Sequence, residues 1–467
     1  MTRAQSTISP ETRRLGLYMA KATQRRLPPA VVEKAKHHIL DTLAAMVSGS
    51  RLSAGERAIA YVTRLRGLPE AGVVGTGLML PAVDAAFANG MFAHADETDD
   101  SHRSSHTHPG CAIVPAALAA AEKAHATGTA FLRSVVLGYD VCCRLTKALD
   151  VTPFLYSNRS IHSFGGVFGA GAAAGALFGL DAKQMRHLLS YVAQCAGGCD
   201  GYFYESQHIQ KAFVYSGRTA HDGVKAASLV ADGFPGVDDI FSGDRNFLNA
   251  YAINARREAL SEDLGRRYEI LGAYLKKWSV GSPIQAVLDG LDALITKYGV
   301  RGEDAAEIVL HMTPRDTKTV DDRPIPDVNV QHQVALMLTD GGSTFATIHH
   351  AARMKDPAVL AVRRRVRLKP TPALNHAYLR RAVVEITTRD GRRLRKRIDR
   401  VRGSTANPMT RPEVIAKAHD LMDGILGRRR ATRLIDTVFA IEDLRDVARL
   451  RPLLAAADKP KRRGRAR

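Results

Sequence analysis

The run FGAGAAAGALFGL, residues 168–180, constrains the fold more than any other stretch of this chain. Nine of its thirteen residues are alanine or glycine and the rest are apolar. A helix that is apolar all round has to be buried, and side chains this small let neighbouring helices approach closely around it. Segments on either side carry apolar residues at helical spacing: PPAVVEKAKHHILDTLAAMVSG from Pro28, PAVDAAFANGMFAHADE from Pro81, PAALAAAEKAHATGTAFLRSVVLGYDVCCRL from Pro115 and RTAHDGVKAASLVADGFPG from Arg218. The first opens on prolines and stops at glycine, the usual punctuation of a helix. No β-α alternation and no glycine-rich phosphate loop follows a strand, which excludes a dinucleotide-binding or P-loop reading.

Near residue 300 the texture changes. AAEIVLHMT and RVRLKP read as strands, and RAVVEITTRDGRRLRKRIDR reads as a hairpin around a two-residue Asp390-Gly391 turn. Helical periodicity then returns to about Leu454. The fold expected is mainly α: a large all-helical domain plus a smaller inserted α+β lid domain. The divisions expected are 1–268 for the first part of the helical domain and 269–405 for the lid. Helices over 406–455 return to the first domain, and a basic disordered tail covers 456–467.

A chain of 467 residues is too long for one simple core, which agrees with two domains. No stretch approaches the roughly 18 unbroken apolar residues of a membrane span. The N-terminal MTRAQSTISPETRRLG lacks the apolar core of a secretory signal, and the five cysteines form no disulfide or zinc pattern, so a cytoplasmic protein with reduced thiols is expected. The net charge of +20 is local: six basic residues lie in KPKRRGRAR, and residues 363–400 hold fourteen basic against three acidic residues. Without aromatic platforms or zinc-finger spacings beside them, these runs do not indicate dedicated nucleic-acid binding. A solvated face, or a field that draws in small polyanions, is the reading adopted.

Chemistry concentrates in HADETDDSHRSSHTHPG, residues 94–110, with four histidines and four carboxylates in seventeen positions. Histidine titrates near neutrality and suits proton transfer. His108, between a threonine and Pro109-Gly110, is expected in a rigid turn. Glu97 and Ser101 are four apart, a separation that one helical turn would bring to one side. Asp99 and Asp100 suit capping or pairing with a basic group. The spacing 94, 102, 106, 108 is not that of H-E-x-x-H, and no metal is expected. Lys211, in the largely apolar HIQKAFVYSG, reads as a partly buried cation, and His162 follows SNRSI where it could line the same cleft.

In order and spacing, AHADETDDSH, HPG and PAALAAAE resemble the pattern A-H-x-x-D-[FY]-D-D-T-H, H-P-[GS], P-A-A-L-A of the MmgE/PrpD family. That family includes 2-methylcitrate dehydratase, cis-aconitate decarboxylase and iminodisuccinate epimerase. GYDVCCRL, IHSFGGVFGAGAAAGALFGL, LKKWSVGSPIQAVLDGL and DVNVQHQVALMLTDG are similar to further landmarks, as is QKAFVYSGRTAHDGVKAASL with one apparent extra residue. The resemblance implies an active site between a helical domain and a lid, a homodimer, and action on small di- or tricarboxylates without a metal or organic cofactor. From the residues and the resemblance together, His108, Glu97, Ser101 and Lys211 are expected in catalysis, and Lys276, His162, Asp99 and His102 in substrate binding.

This sequence departs from the family at several places. Glu97 stands where an aspartate is usual, Gly281 and Gln285 stand where family members carry a further histidine, and KTVDDRPIP lacks the tyrosine of the decarboxylase branch. These departures argue against cis-aconitate decarboxylation. The expectation is therefore a cofactor-independent hydro-lyase of the 2-methylcitrate dehydratase kind. The alternatives are an epimerase of an amino dicarboxylate and a non-catalytic binder of polyanions.

Overall fold

A computed structural model of the chain describes residues 8–377 and 379–456. The expected basic tail falls, from 457 onward, outside the described residues. The chain is mainly helical with small sheets. Its N-terminal part contains α1 (Pro10–Ala20), α2 (Pro29–Gly49), α3 (Ser53–Val62), α4 (Ala82–Ala93), α5 (Pro109–Lys123), α6 (Gly128–Ala148), α7 (Ile161–Leu177), α8 (Ala182–Cys195) and α9 (Arg218–Ala231).

The small-residue run lies on α7, where every residue except His162 is buried. A Cβ added to Gly169 would stand 2.7 Å from the Gly138 carbonyl oxygen of α6 and 2.8 Å from Cys142 Cβ. One added to Gly223 of α9 would stand 2.6 Å from Ala170 Cβ and the Gly171 nitrogen. The glycines are thus where α6 and α9 close on α7, and each offsets the cost of about 1 kcal/mol that glycine carries inside a helix.

Later come α10 (Gln285–Tyr298), α11 (Pro314–Val320) and α12 (Val330–Asp340), with a four-stranded sheet. The short strands β1 (Ser101–His102) and β2 (Ala273–Tyr274) pair antiparallel. The sheet itself comprises β3 (Ala305–Met312), β4 (Val366–Pro370), β5 (Ala382–Thr388) and β6 (Arg393–Ile398), in the order β4-β3-β5-β6. β3 and β4 run parallel, so the chain between them must cross over, and it does so through α11 and α12. The other pairs are antiparallel. α10 packs on β5 and β6, and with the buried residues of β3 they form a second core that includes Val287, Leu291, Ile308 and Val384.

The hairpin between β5 and β6 differs from the expected two-residue turn. Thr388 N–H donates to Arg392 O at 2.9 Å, so Arg389, Asp390 and Gly391 together close it, with Gly391 at φ +88°. A three-residue loop with glycine in the left-handed position is the next commonest solution. The helices α13 (Arg411–Leu426) and α14 (Arg428–Phe439) bury Val414, Leu421, Leu434 and Val438 in the first core rather than the second. Among the described residues no helix is long and apolar enough to cross a membrane. No cysteine is paired: Cys111, Cys142 and Cys143 are buried free thiols, and Cys195 and Cys199 are more accessible.

Candidate active site

Helix α4 ends at Ala93 and α5 begins at Pro109, and the loop between them runs through the interior. Burying so many polar groups requires a partner for each. Asp96 accepts from Thr98 N–H at 2.9 Å and pairs with His349 at 3.0 Å. Asp100 accepts from Tyr139 and His38, both at 2.6 Å, and from Gly110 N–H at 2.9 Å. That last bond satisfies a free donor in the first turn of α5, so the carboxylate fixes the helix start that follows His108. Lys417 of α13 donates to Thr98 O at 2.9 Å and pairs with Asp41 at 2.6 Å. The loop is therefore held from the N-terminal helices, from the segment around 269–349 and from the C-terminal helices.

Glu97 and Asp99 carry the densest charge. Glu97 Oε1 accepts from Lys211 and, at 3.1 Å, from His208; its Oε2 lies 3.3 Å from Lys276 Nζ. Asp99 lies 2.9 Å from His94, 3.2 Å from His108 and 3.5 Å from Lys276. Burial alone would raise both carboxyl groups. The Lys211 and Lys276 ammoniums overcome it at Glu97, and His94, His108 and Lys276 do so at Asp99, so both stay ionised well below the usual range. Lys276 is raised in return, against burial, by Asp99 and Glu97.

A cavity of about 190 Å³ opens beside this cluster. His108, Glu97, Ser101, Lys211, His162 and His102 all line it, so the fold gathers in one place residues that lie up to 114 positions apart. Ser101 Oγ stands 3.5 Å from both ring nitrogens of His108. Lys276 and Asp99 do not reach the cavity wall: both are fully buried, each held by charged partners. The sequence reading expects both at the substrate; in this structure they stand behind the lining residues, Lys276 against Glu97 and Asp99 against His108. His102 keeps Nδ1 on Ser105 at 2.7 Å and Nε2 near Glu269 at 3.5 Å, so both polar atoms serve the scaffold. Nor does a helical turn join Glu97 to Ser101: the segment is irregular, and Ser101 enters β1. The pairing of Ser101 with Tyr274 in that ladder brings the chain leading to Lys276 alongside Glu97.

The structure adds residues that the sequence did not single out. Tyr215 is buried and stacks on His162 at 3.9 Å on one side and on His94 at 4.6 Å on the other. Its hydroxyl donates to Tyr202 at 3.0 Å. Tyr215 lies in a π-helical turn, Phe213–Gly217, between the short helix bearing Lys211 (Ile209–Ala212) and α9. A π turn takes one residue more than an α turn and occurs often at functional sites. It lies in the stretch where the sequence shows one extra residue against the family pattern. His94 separates His108 and His208, with ring centroids 5.3 and 5.1 Å from each.

These imidazoles differ in basicity. Burial pushes His94 down to about 3 and His162 well below its usual value, so both rings are neutral. At His208, burial and the Lys211 ammonium oppose protonation, but Glu97 and Asp327 prevail and its pKa is raised. Gln285 clamps its own loop, donating to Trp278 O at 2.7 Å and Val280 O at 2.9 Å. Gly281 faces the cavity, and a Cβ there would meet nothing closer than 3.4 Å. His94, Glu97 and His208 lie close enough to share a cation, as do His94, Asp99 and Cys111. Both sets already contain a carboxylate neutralised by ammonium groups, and a divalent ion would face Lys276 at close range. The donor chemistry does not fit a metal.

A helical scaffold that buries a histidine–carboxylate–lysine cluster beside a cavity holds the groups that acid–base chemistry uses. The MmgE/PrpD N-terminal domain matches residues 13–259 and the MmgE/PrpD C-terminal domain matches residues 278–442, and the chain belongs to the MmgE/PrpD family. Its relatives include a cis-aconitate decarboxylase-like protein of Aspergillus oryzae, 24% identical over 92% of this chain and 94% of its own length. The cis-aconitate decarboxylase of Homo sapiens is 24% identical over 95% and 93%, and that of Aspergillus terreus 22% over 92% of each.

Proposed function

We propose that the protein is a lyase for a small di- or tricarboxylate that works by proton transfer at a carbon next to a carboxylate, without metal or organic cofactor. The observation carrying this reading is that His108, His208 and Lys211 face one cavity, with His108 held by Asp99 and the other two by Glu97. His108 removes the proton as base, and Asp99 orients its ring and stabilises the imidazolium that forms. Lys211 holds the carboxylate next to the reacting carbon and stabilises charge that develops there. Ser101 and the neutral ring of His162 position the substrate. The segment 269–405 serves as a lid over the helical domain formed by 1–268 and 406–455, with the cavity between them.

In the hydro-lyase form, the electron pair of the broken C–H bond forms a C=C bond, the C–O bond breaks, and the leaving hydroxide takes a proton from cationic His208 to depart as water. His208 supplies the second acid–base group that Gly281 and Gln285 do not. Two imidazoles whose surroundings differ in charge are the arrangement that separates acid from base. The names of the relatives favour a second reading, decarboxylation. There the C–C bond to a carboxylate breaks, carbon dioxide leaves, and the electron pair left on carbon is protonated by His208.

Incubation with a panel of di- and tricarboxylates in heavy water, read by NMR and mass spectrometry, separates the reactions. Loss of water gives a product 18 mass units lighter than its substrate before exchange is counted, carbon dioxide release gives one 44 lighter (about these integers, from the formulae of water and carbon dioxide). Deuterium uptake without mass loss marks epimerisation. If no acid turns over, or if His108→Ala leaves turnover within about tenfold, a proton-transfer contribution above roughly 1.4 kcal/mol is ruled out and the proposal falls.

A further inference from the structure

The wall of the cavity away from Glu97 carries guanidinium groups that the proposed chemistry does not use. Five arginine and lysine side chains and three carboxylates line the cavity, a surplus of two positive charges before any histidine is counted. The carboxylates are all engaged: Glu97 by Lys211 and Lys276, Asp316 by Arg380, and Glu205 by the backbone N–H groups of Gln210 and Lys211. Arg103, Arg315 and Arg323 have no ion-pair partner among the described residues. Among the described residues Arg103 donates to a carbonyl, that of Ala377, at 3.3 Å.

Three separate parts of the chain bring these groups together. Arg103 follows β1, Arg315 sits in the first turn of α11, and Arg380 lies just before β5. Arg103 and Arg380 also line an adjoining cavity of about 210 Å³, together with Tyr274 and Ser282, so the guanidiniums stand where two cavities meet. Burial and the nearby Arg315 charge lower Arg103, although Tyr274 acts in the opposite sense. Burial, then Arg103 and Arg315, push Arg380 down to about 9, although Tyr274 acts in the opposite sense. Burial and the three guanidiniums push His106 down to about 3, so that ring adds no charge. Bringing cations together and partly out of water is unfavourable unless an anion joins them. Arginine's planar fork suits a carboxylate in particular.

We propose that Arg103, Arg315 and Arg380 form an anion subsite that takes a second carboxylate of the substrate, remote from the carbon that reacts at His108. The inference rests on the polycarboxylate reading given above and adds the residues that select for a multiply charged acid. Asp316 holds Arg380 in place from below, and Arg103 and Arg315 supply the net charge. Lys211 holds one carboxylate and the guanidinium wall another, so an acid with only one carboxylate binds in either place but is not oriented.

The test uses the full chain and three probes, tricarballylate, glutarate and sulfate, with binding measured by calorimetry at fixed low salt. Arg315→Ala and Arg103→Gln are expected to weaken tricarballylate by at least about tenfold each, as for loss of a charge-assisted hydrogen bond, and to abolish sulfate binding. Lys211→Met is expected to weaken both carboxylates and leave sulfate unchanged. Circular dichroism and melting temperature confirm folding, and Arg315→Lys, which keeps the charge, is expected to recover part of the loss. Should tricarballylate bind both arginine variants as tightly as wild type, the subsite is overturned while the polycarboxylate reading stands. Should neither acid bind wild type, while sulfate binds and is lost in the arginine variants, the subsite stands and the substrate reading falls. If none of the three probes binds wild type, both are wrong.

Discussion

Asp99 lies 3.2 Å from the imidazole of His108 and 3.5 Å from the ammonium of Lys276, with no path to solvent of its own. One carboxylate therefore orients the proposed base while its charge is balanced from behind. Replacing it with asparagine keeps the shape and removes the charge, so the imidazolium formed at His108 loses its partner. Asp99→Asn is expected to lower kcat by about 10²–10⁴-fold with a much smaller change in KM, by analogy with the orienting carboxylate of a catalytic triad. Steady-state kinetics decide it, and a change confined to KM would remove Asp99 from the proton-transfer machinery.

Glu97 governs the other imidazole. Its carboxylate, 3.1 Å from His208, is the main group raising that ring against burial and Lys211. If cationic His208 delivers a proton, activity falls as pH rises through its pKa. Glu97→Gln removes the support and lowers that pKa, so the basic limb of the pH–rate profile is expected to move to lower pH. A limb that stays in place in the variant would show that another group sets it.

Much of this was legible in the sequence, for local reasons. The alanine- and glycine-rich run announced a buried helix, and alternation around Asp390-Gly391 announced the hairpin, although not that three residues would close it. His108, Ser101, Glu97 and Lys211, which line the cavity, stood out because they lie in dense, compositionally unusual stretches. His208 stands three residues before Lys211 and could have been found by the same logic. That Lys276 and Asp99 lie behind the cavity lining could not be read, because burial and pairing depend on the tertiary fold, and sequence gives no sign of which face of a loop meets a cavity. Arg315 and Arg380 were invisible: nothing local marks either one, and only the tertiary fold brings the start of α11 and the segment between β4 and β5 to Arg103.

Close helix approach at Gly169 gives a direct check on the packing. A Cβ there would press on the Gly138 carbonyl at 2.7 Å and on Cys142 Cβ at 2.8 Å, and backbone on the far side leaves little room to yield. Gly169→Ala is expected to destabilise by about 1–3 kcal/mol despite alanine's better helix propensity. Chemical denaturation measures this, and a stabilised variant would mean that α6 and α7 are further apart than described.

Lys276 and Lys211 should part company when each is replaced by methionine. Lys276 is fully buried between two carboxylates, so its loss leaves Glu97 and Asp99 short of a counter-charge in the interior. Lys276→Met is expected to cost about 3–5 kcal/mol of stability. Lys211 is partly exposed at the cavity, and Glu97 keeps Lys276 and His208 without it. Lys211→Met is expected to retain most stability and lose substrate affinity. Melting temperature beside substrate binding distinguishes them, and equal stability losses would contradict the separation.

The pair of His349 and Asp96 ties the active-site loop to the segment following α12, and its charge state makes that tie depend on pH. Burial opposes protonation of His349, but Asp96 at 3.0 Å, helped by Asp327, raises it to about 9. An unfolded histidine titrates near 6.5 (about the model-peptide value), so the folded state holds a proton that the unfolded state releases between there and about 9. The stabilisation is thus complete below pH ~6.5 and is lost as pH rises through the folded value, a change of order 1–3 kcal/mol. Denaturant titrations from pH 6 to 10 (roughly spanning both values) should show this decline in wild type, and His349→Gln should flatten it while lowering stability at the acid end. An equal slope in the variant would place the pH dependence elsewhere in the buried network around Glu97.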